Sequence, residues 1–280
     1  MSLYTGGIDE GSGGGAGKWI VGFLLAIVFA AALGALTLYL LSAKEPARES
    51  HRRVVNALAE GDAVIVRDYE SWTATAEASD PGTEIALPNW PVQLTVTREE
   101  LLESTPESLR VLLLDRSADL LYEEGTAALR DPDAADDPGR FTASGIVDAF
   151  IDLLREDVHT ASLITMVVLL VLSLAVALWL GALTRGYGRL MAVAIAVGVG
   201  ALAVLAGGAA LSAYMRVSLD DNAEYLREEL LHIGEDLAMV PLLIGAAFAA
   251  AGAVLLIVGV LAARWSDSRR SSISLDRRLA

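Results

Sequence analysis

The segment WIVGFLLAIVFAAALGALTLYLL, residues 19–41, decides the fold, because it contains no Asp, Glu, Lys, Arg or His. A helix needs about 20 apolar residues to cross the hydrocarbon core of a bilayer, and a run of this length has no good place in a soluble domain. Three further segments meet the same test, at residues 163–183, 190–215 and 240–263. The sequence therefore predicts four uninterrupted transmembrane helices.

The basic residues in the short flanking segments predict the orientation, because Lys and Arg near a span resist translocation. Residues 1–18, 184–189 and 264–280 together carry eight basic and four acidic residues. Residues 42–162 and 216–239 are strongly acidic, with net charges of −14 and −5, and they outweigh the +4 of the other segments to give the net charge of −15. We therefore expect a multi-pass protein of the cell membrane with both termini in the cytoplasm and the two acidic segments outside.

The segments between the spans have different expected structures. Residues 1–18 form a flexible glycine-rich leader, residues 184–189 a short cytoplasmic loop, and residues 264–280 a basic tail that contacts anionic lipid. Residues 216–239 form an amphipathic helix that leads into the fourth span. The fold class is an α-helical polytopic membrane protein with a small α+β extracytoplasmic domain, residues 42–162, inserted between transmembrane helices 1 and 2.

The inserted domain contains signals for both helices and strands. A helix is expected at residues 46–59, and short runs of β-forming residues between turns predict a sheet of three or four strands at residues 63–67, 71–76, 83–87 and 92–96. Helical signals follow, with capping pairs Thr97 and Glu100, then Ser104 and Glu107. The acidic, proline-containing run at residues 131–139 predicts an exposed loop, and Ser144 is positioned to cap a last helix.

Small residues recur in the spans at helix-contact spacing. They let helix backbones approach closely, which stabilises association in lipid. They serve either packing of the four helices within one chain or self-association of two chains, and the sequence leaves both readings open. The residues are Ala30, Gly34, Ala203, Gly207, Gly208, Ser212, Gly245 and Ala249.

Histidines and acids near the predicted outer membrane surface suggest one candidate site. Glu-x-x-His spacing on helices is typical of metal sites in helical bundles, and imidazole with carboxylate suits a divalent metal. The candidate ligands are His159, His232, Glu156 and Glu235, with His51 or Asp157 completing the set. The alternative is that these are interfacial residues of charged amphipathic helices.

Several function classes are disfavoured by composition. The chain has no cysteine, which excludes disulfides, thiolate metal sites and cysteine nucleophiles. No ionisable residue lies inside the predicted spans, and transporters generally need one there. The acidic outer segments argue against nucleic-acid binding. No phosphate-binding loop or common hydrolase motif is present.

The expected function is therefore a non-enzymatic accessory, scaffold or assembly subunit whose outer domain contacts another envelope or membrane protein, or a second copy, in contact with membrane lipid. A second hypothesis is an extracytoplasmic sensor of a ligand or ion coupled to the helix bundle. A third is a metal-dependent envelope enzyme that uses the His/Glu set. No cofactor is expected beyond the candidate divalent metal.

Overall fold

A computed structural model describes residues 12–60, 62–129, 143–184, 187–219 and 225–279. Within these residues, four helices are long and apolar enough to cross a membrane: Gly17–Leu41, Glu156–Leu183, Gly188–Val217 and Leu231–Trp265. Each contains one of the four predicted segments. The prediction of a helical, multi-pass membrane protein is confirmed at this level.

The described elements are nine helices, two short strands and one 3-10 helix. The helices are α1 (Ser12–Leu41), α2 (Lys44–Leu58), α3 (Ala63–Ala78), α4 (Arg98–Glu103), α5 (Pro106–Glu124), α6 (Ala143–Leu153), α7 (Glu156–Leu183), α8 (Gly188–Leu219) and α9 (Tyr225–Leu279). The strands β1 (Glu84–Ala86) and β2 (Thr95–Thr97) pair antiparallel, and the 3-10 helix Gly125–Ala128 follows α5.

Contacts divide the chain into two compact units. The membrane unit contains the described residues of Met1–Leu36, Ile164–Ala209 and Pro241–Ala280. The hydrophilic unit contains those of Thr37–Leu163 and Ala210–Val240.

Helix α1 is the centre of the membrane unit. Half of its most apolar stretch is buried, 50% compared with 17–22% for the other three spans. Leu25 packs in one cluster with Leu180 of α7, and the Phe29 ring meets Phe248 of α9 edge-on at 5.6 Å between centroids. The first span is therefore a structural helix of the bundle as well as an anchor.

Two of the long helices differ from the sequence prediction. The fourth span was expected to be uninterrupted, but Pro241 lies inside α9. Because proline has no backbone N–H, one helical hydrogen bond is not made there. Helix α9 nevertheless runs unbroken from Tyr225 through the span and the tail. It includes residues 225–239 of the expected amphipathic helix, whereas residues 216–219 belong to α8. Helix α1 begins at Ser12, inside the expected flexible leader. Extending an existing helix is much easier than nucleating one, which explains helix in a glycine-rich stretch.

The core of the hydrophilic unit joins helices α2 through α6, the hairpin and the first turns of α9. Trp72 of α3 and Trp90 from the loop between the strands are each 1% exposed, and Trp90 Nε1 donates to Ser117 Oγ at 2.9 Å. A row of polar contacts shows that α2 and α5 run antiparallel: Arg48 with Asp119 at 2.7 Å, Arg52 with Asp115 at 2.5 Å, and Asn56 with Arg110 at 2.9 Å.

The predicted strands at residues 63–67 and 71–76 are wrong, because this segment is the single helix α3. Its buried residues Val64, Ile65, Trp72 and Ala76 recur with helical spacing and face the core. Packing has overridden the strand preference of the β-branched residues. The remaining two predicted strands contain β1 and most of β2, so the sheet has two strands within the described residues instead of three or four.

Helix capping in the domain is only partly as predicted. The capping box of Thr97 and Glu100 is confirmed, with the Thr97 Oγ1 accepting from the Glu100 N–H at 3.3 Å. The next helix is capped by Thr105 with Ser108 instead of Ser104 with Glu107, because Pro106 occupies its first turn. The loop predicted at 131–139 lies outside the described residues. Helix α6 begins at Ala143, one residue before the expected cap.

Candidate functional site

His159 lies at a polar junction between the end of α1 and the beginning of α7. Its Nδ1 is 3.1 Å from the Tyr39 carbonyl oxygen and 3.5 Å from the Ser42 Oγ. The imidazole also stacks on the Tyr39 ring with 4.5 Å between centroids. One ring nitrogen is therefore engaged by the helix junction.

The other predicted metal ligands do not join His159 in a cluster. Glu235 accepts a hydrogen bond from Arg216 Nε at 2.6 Å, and the carboxylate of Asp157 lies 3.4 Å from Arg155 Nε. His232 and Glu156 are exposed. In the described part of the chain, no group of three His, Asp or Glu side chains could hold a metal ion. The structure thus gives no support to the predicted metal set.

His51 is a core residue of the hydrophilic unit. Its side chain is fully buried, and neither ring nitrogen makes a hydrogen bond of normal geometry. Burial lowers the pKa of His51 to about 4, although the nearby backbone carbonyls of Ile151 and Ala118 oppose this. The ring is therefore neutral at pH 7.

Two of the predicted small residues allow close approach of α8 and α9. A Cβ at Gly245 would lie 2.7 Å from the Leu205 backbone nitrogen, and one at Gly208 would lie 3.2 Å from Leu242. Ala249 belongs to the partly buried surface packed on Phe29 and Leu33. For these positions the contacts favour packing within one chain.

The other predicted small residues are mixed. Ala30 lies at a close approach of α1 and α8, because a Cβ at Gly200 would lie 3.3 Å from the Ala30 backbone nitrogen. A Cβ added at Gly34 or Gly207 would meet nothing within 4 Å. Ala203 is exposed, and Ala30 and Ser212 are half-buried. The sequence prediction also missed Gly200, where a Cβ would lie 2.7 Å from the Ala26 carbonyl oxygen. Self-association of two chains through Gly34 and Gly207, where an added Cβ would meet no neighbouring atom, remains a prediction.

One groove of the hydrophilic unit, about 920 Å³, lies between the hairpin and α5. Two of its charged groups are paired within the fold: Arg116 donates to Glu100 at 3.0 Å between Nη1 and Oε2, and Asp119 pairs with Arg48 at 2.7 Å. Hydrogen bonds from Arg116 lower the pKa of Glu100 to about 2. These pairs hold α4, α5 and α2 together.

A second groove, about 370 Å³, lies between α3 and the first turns of α5 and is more apolar. Val66 is 76% exposed and Val111 is 60% exposed along it. Its lining is Asp62, Ile65, Val66, Pro106, Glu107, Arg110, Val111 and Leu114. We call this surface the Val66–Val111 groove.

Charged side chains form the rim of the Val66–Val111 groove. Arg110 Nε lies 2.8 Å from the Asp62 carboxylate, and Arg110 also donates to Asn56 at 2.9 Å. The Arg110 guanidinium is thus fixed in place at one edge of the groove. An apolar centre with a fixed polar rim is the arrangement typical of a protein-binding surface.

Sequence reasoning missed this groove because α3 was predicted as strands. Read as a helix, the segment places Val66 away from the buried stripe that includes Ile65 and Trp72. Val111 is similarly off the stripe of Leu109 and Leu113 in α5. The sequence signal for this groove was the presence of apolar residues outside the buried stripe of each helix.

No protein-family model, curated protein or solved structure matches this chain. Function must therefore be inferred from the chain's own geometry.

Proposed function

We propose that the chain is a non-enzymatic accessory or assembly subunit of the cell envelope whose hydrophilic unit binds another membrane or envelope protein through the Val66–Val111 groove. The observation that carries the proposal is the exposure of two valines, 76% and 60%, along one groove between two helices. Single exposed apolar residues are common, but grouped ones with a polar rim are typical of interfaces.

The charge of the domain favours a particular kind of partner. The segment at residues 42–162 carries 25 acidic and 11 basic residues. Asp62 and Glu107 contribute acidic groups to the groove itself. A complementary surface has an apolar side chain at its centre and basic residues around it, because opposite charges steer encounter and suppress wrong partners.

The proposed orientation places this domain outside the cell, with both termini in the cytoplasm. Support comes from the one-sided distribution of basic residues around the spans. The partner would then be a membrane protein with an outer domain, or a protein of the envelope.

Photo-crosslinking tests the proposed contact. Benzoylphenylalanine at position 66 is expected to crosslink one stoichiometric partner in native membranes. Position 75 is the matched control, since Thr75 is an exposed residue nine positions further along α3, on the opposite side of the helix. Crosslinks confined to lipid or to a second copy, or the same partner at both positions, would contradict the proposal.

A serine double variant, Val66→Ser with Val111→Ser, separates binding from folding. Burial of each valine side chain in a complex contributes about 1 kcal/mol to binding. Replacing both is therefore expected to weaken partner binding about 30-fold. Stability should change by no more than about 0.5 kcal/mol, because both side chains are exposed. Unchanged recovery of the partner with the double variant would count against this groove.

A further inference from the structure

We infer that a groove in the membrane unit, distinct from the two grooves described above, binds one anionic phospholipid. The groove has a volume of about 440 Å³ and lies where α1 begins, α7 ends and α8 begins. It is lined by Lys18, Trp19, Gly22, Phe23, Ala26, Leu180, Thr184, Gly188, Met191, Ala192, Ile195, Ala196 and Val199. We call it the Lys18 groove.

The body of the Lys18 groove suits an acyl chain. Its floor is formed by tightly packed side chains, with Ala26 5%, Leu180 1% and Ala196 4% exposed. Its walls are open to the surroundings, with Trp19 78% and Phe23 67% exposed. An apolar slot with a closed floor and open walls on a membrane-spanning surface offers more contact to a lipid chain than a smooth helix face does.

The mouth of the groove suits a phosphate. Lys18 lines it, and Arg189 lies beside it, because Arg189 Nε donates to the carbonyl oxygen of Thr184, another lining residue, at 2.8 Å. No acidic residue lines the groove. Two cations at the end of three spans, next to the indole of Trp19, form the combination that anionic headgroups bind at a membrane interface.

Charge complementarity selects the occupant among the apolar molecules of a membrane. A zwitterionic lipid would fill the apolar slot equally well, but it would gain little from Lys18 and Arg189. A second copy would bring flanking segments of the same net positive charge, with eight basic and four acidic residues, towards these cations, and like charges repel. An anionic phospholipid supplies both an acyl chain for the apolar slot and a negatively charged headgroup for Lys18 and Arg189.

Quenching of Trp19 by brominated lipids tests this assignment in the full-length protein reconstituted into vesicles. The Trp19 signal is the difference in fluorescence between the protein and its Trp19→Phe variant. Brominated phosphatidylglycerol is expected to occupy the site about fivefold more favourably than brominated phosphatidylcholine for each basic residue engaged. Equal quenching by the two lipids would overturn the proposal.

Variants of the groove sharpen the test. Lys18→Gln is expected to reduce the preference for phosphatidylglycerol by about fivefold, and Lys18→Arg to keep it. Gly22→Leu should fill the slot without a clash, because a Cβ at Gly22 meets nothing within 4 Å. It is expected to reduce Trp19 quenching by both lipids.

A matched variant and a second tryptophan provide the controls. Gly181→Leu introduces the same side chain at another open position outside the groove, and it is expected to leave Trp19 quenching unchanged. Trp179, which is 54% exposed and outside the groove, is expected to show no headgroup preference. A preference at Trp179 equal to that at Trp19 would indicate general surface attraction and would contradict a site.

Discussion

Acidification is expected to destabilise the hydrophilic unit through His51. The ring is completely buried, and its pKa is lowered by burial from 6.5 to about 4. The unfolded chain therefore binds a proton more readily than the folded chain between these values. Stability from the neutral ring is fully present above pH 6.5 and is lost as the pH falls towards 4.

The size of this effect follows from the two pKa values of His51, 6.5 and about 4. One pKa unit corresponds to about 1.4 kcal/mol. The loss between pH 7.5 and pH 5 is then about 2 kcal/mol, and it reaches about 3 kcal/mol below pH 4. A change of this size is a large fraction of the stability of an ordinary domain.

Urea unfolding of the full-length protein in detergent measures the effect. With Trp19, Trp179 and Trp265 replaced by phenylalanine, the emission comes from Trp72 and Trp90, both buried in the core of the hydrophilic unit. The free energy of unfolding is compared at pH 7.5, 6 and 5.

Two leucine variants decide whether His51 is the cause. His51→Leu is expected to remove the loss between pH 7.5 and 5, and to retain or raise stability at pH 7.5, because the ring nitrogens make no good hydrogen bonds. His232→Leu is the control, since that ring is exposed and its removal leaves the buried one in place. A loss of about 2 kcal/mol that persists in His51→Leu would refute the reasoning.

Two further predictions concern an ion pair and a helix contact. Glu100→Gln is expected to destabilise the hydrophilic unit by about 1 kcal/mol at pH 7, a value reduced for partial solvent exposure, since hydrogen bonds from Arg116 lower the Glu100 pKa to about 2. That stability is present above pH 4.5 and is lost as the pH falls through about 2, so urea titrations of Glu100→Gln and the parent protein should converge in acid. Gly245→Ala is expected to destabilise the membrane unit by about 1–3 kcal/mol, because its Cβ would lie 2.7 Å from the Leu205 backbone nitrogen. Gly34→Ala, at an open position, should be neutral or stabilising by up to about 1 kcal/mol in the same thermal unfolding assay in detergent, and equal effects of the two alanines would contradict the packing account.

The membrane spans could be predicted because the bilayer imposes a strong, one-dimensional constraint. A run such as residues 19–41 satisfies it without reference to any other part of the chain. The central position of α1 in the bundle could not be predicted in this way. It depends on which faces of Leu25 and Phe29 meet other helices, and an all-apolar helix carries no periodic signal for that choice.

The hydrophilic unit was predictable where local chemistry determines the structure. The Thr97 capping box rests on contacts within a few residues, and it is present. The run containing Val64 and Ile65 was predicted as a strand because β-branched residues favour strands in isolation. Its helical structure depends on burial of Trp72 against the rest of the core, a long-range contact that local propensity does not contain.

The candidate sites were the least predictable features. The Val66–Val111 groove exists because α3 lies beside the start of α5, and the Lys18 groove because three separated segments converge. The His/Glu set had a recognisable spacing, but its members lie in different surroundings. Spacing along one helix does not determine whether a second helix supplies the remaining ligands.

The proposed function requires the hydrophilic unit to lie outside the cell, and cysteine labelling in intact cells measures its location. The native chain has no cysteine, so a single introduced residue reports without background. Thr75→Cys, at an exposed position of α3, is expected to react with a membrane-impermeant maleimide, whereas Ser271→Cys should react only after permeabilisation. Labelling of position 271 and protection of position 75 in intact cells would contradict the account.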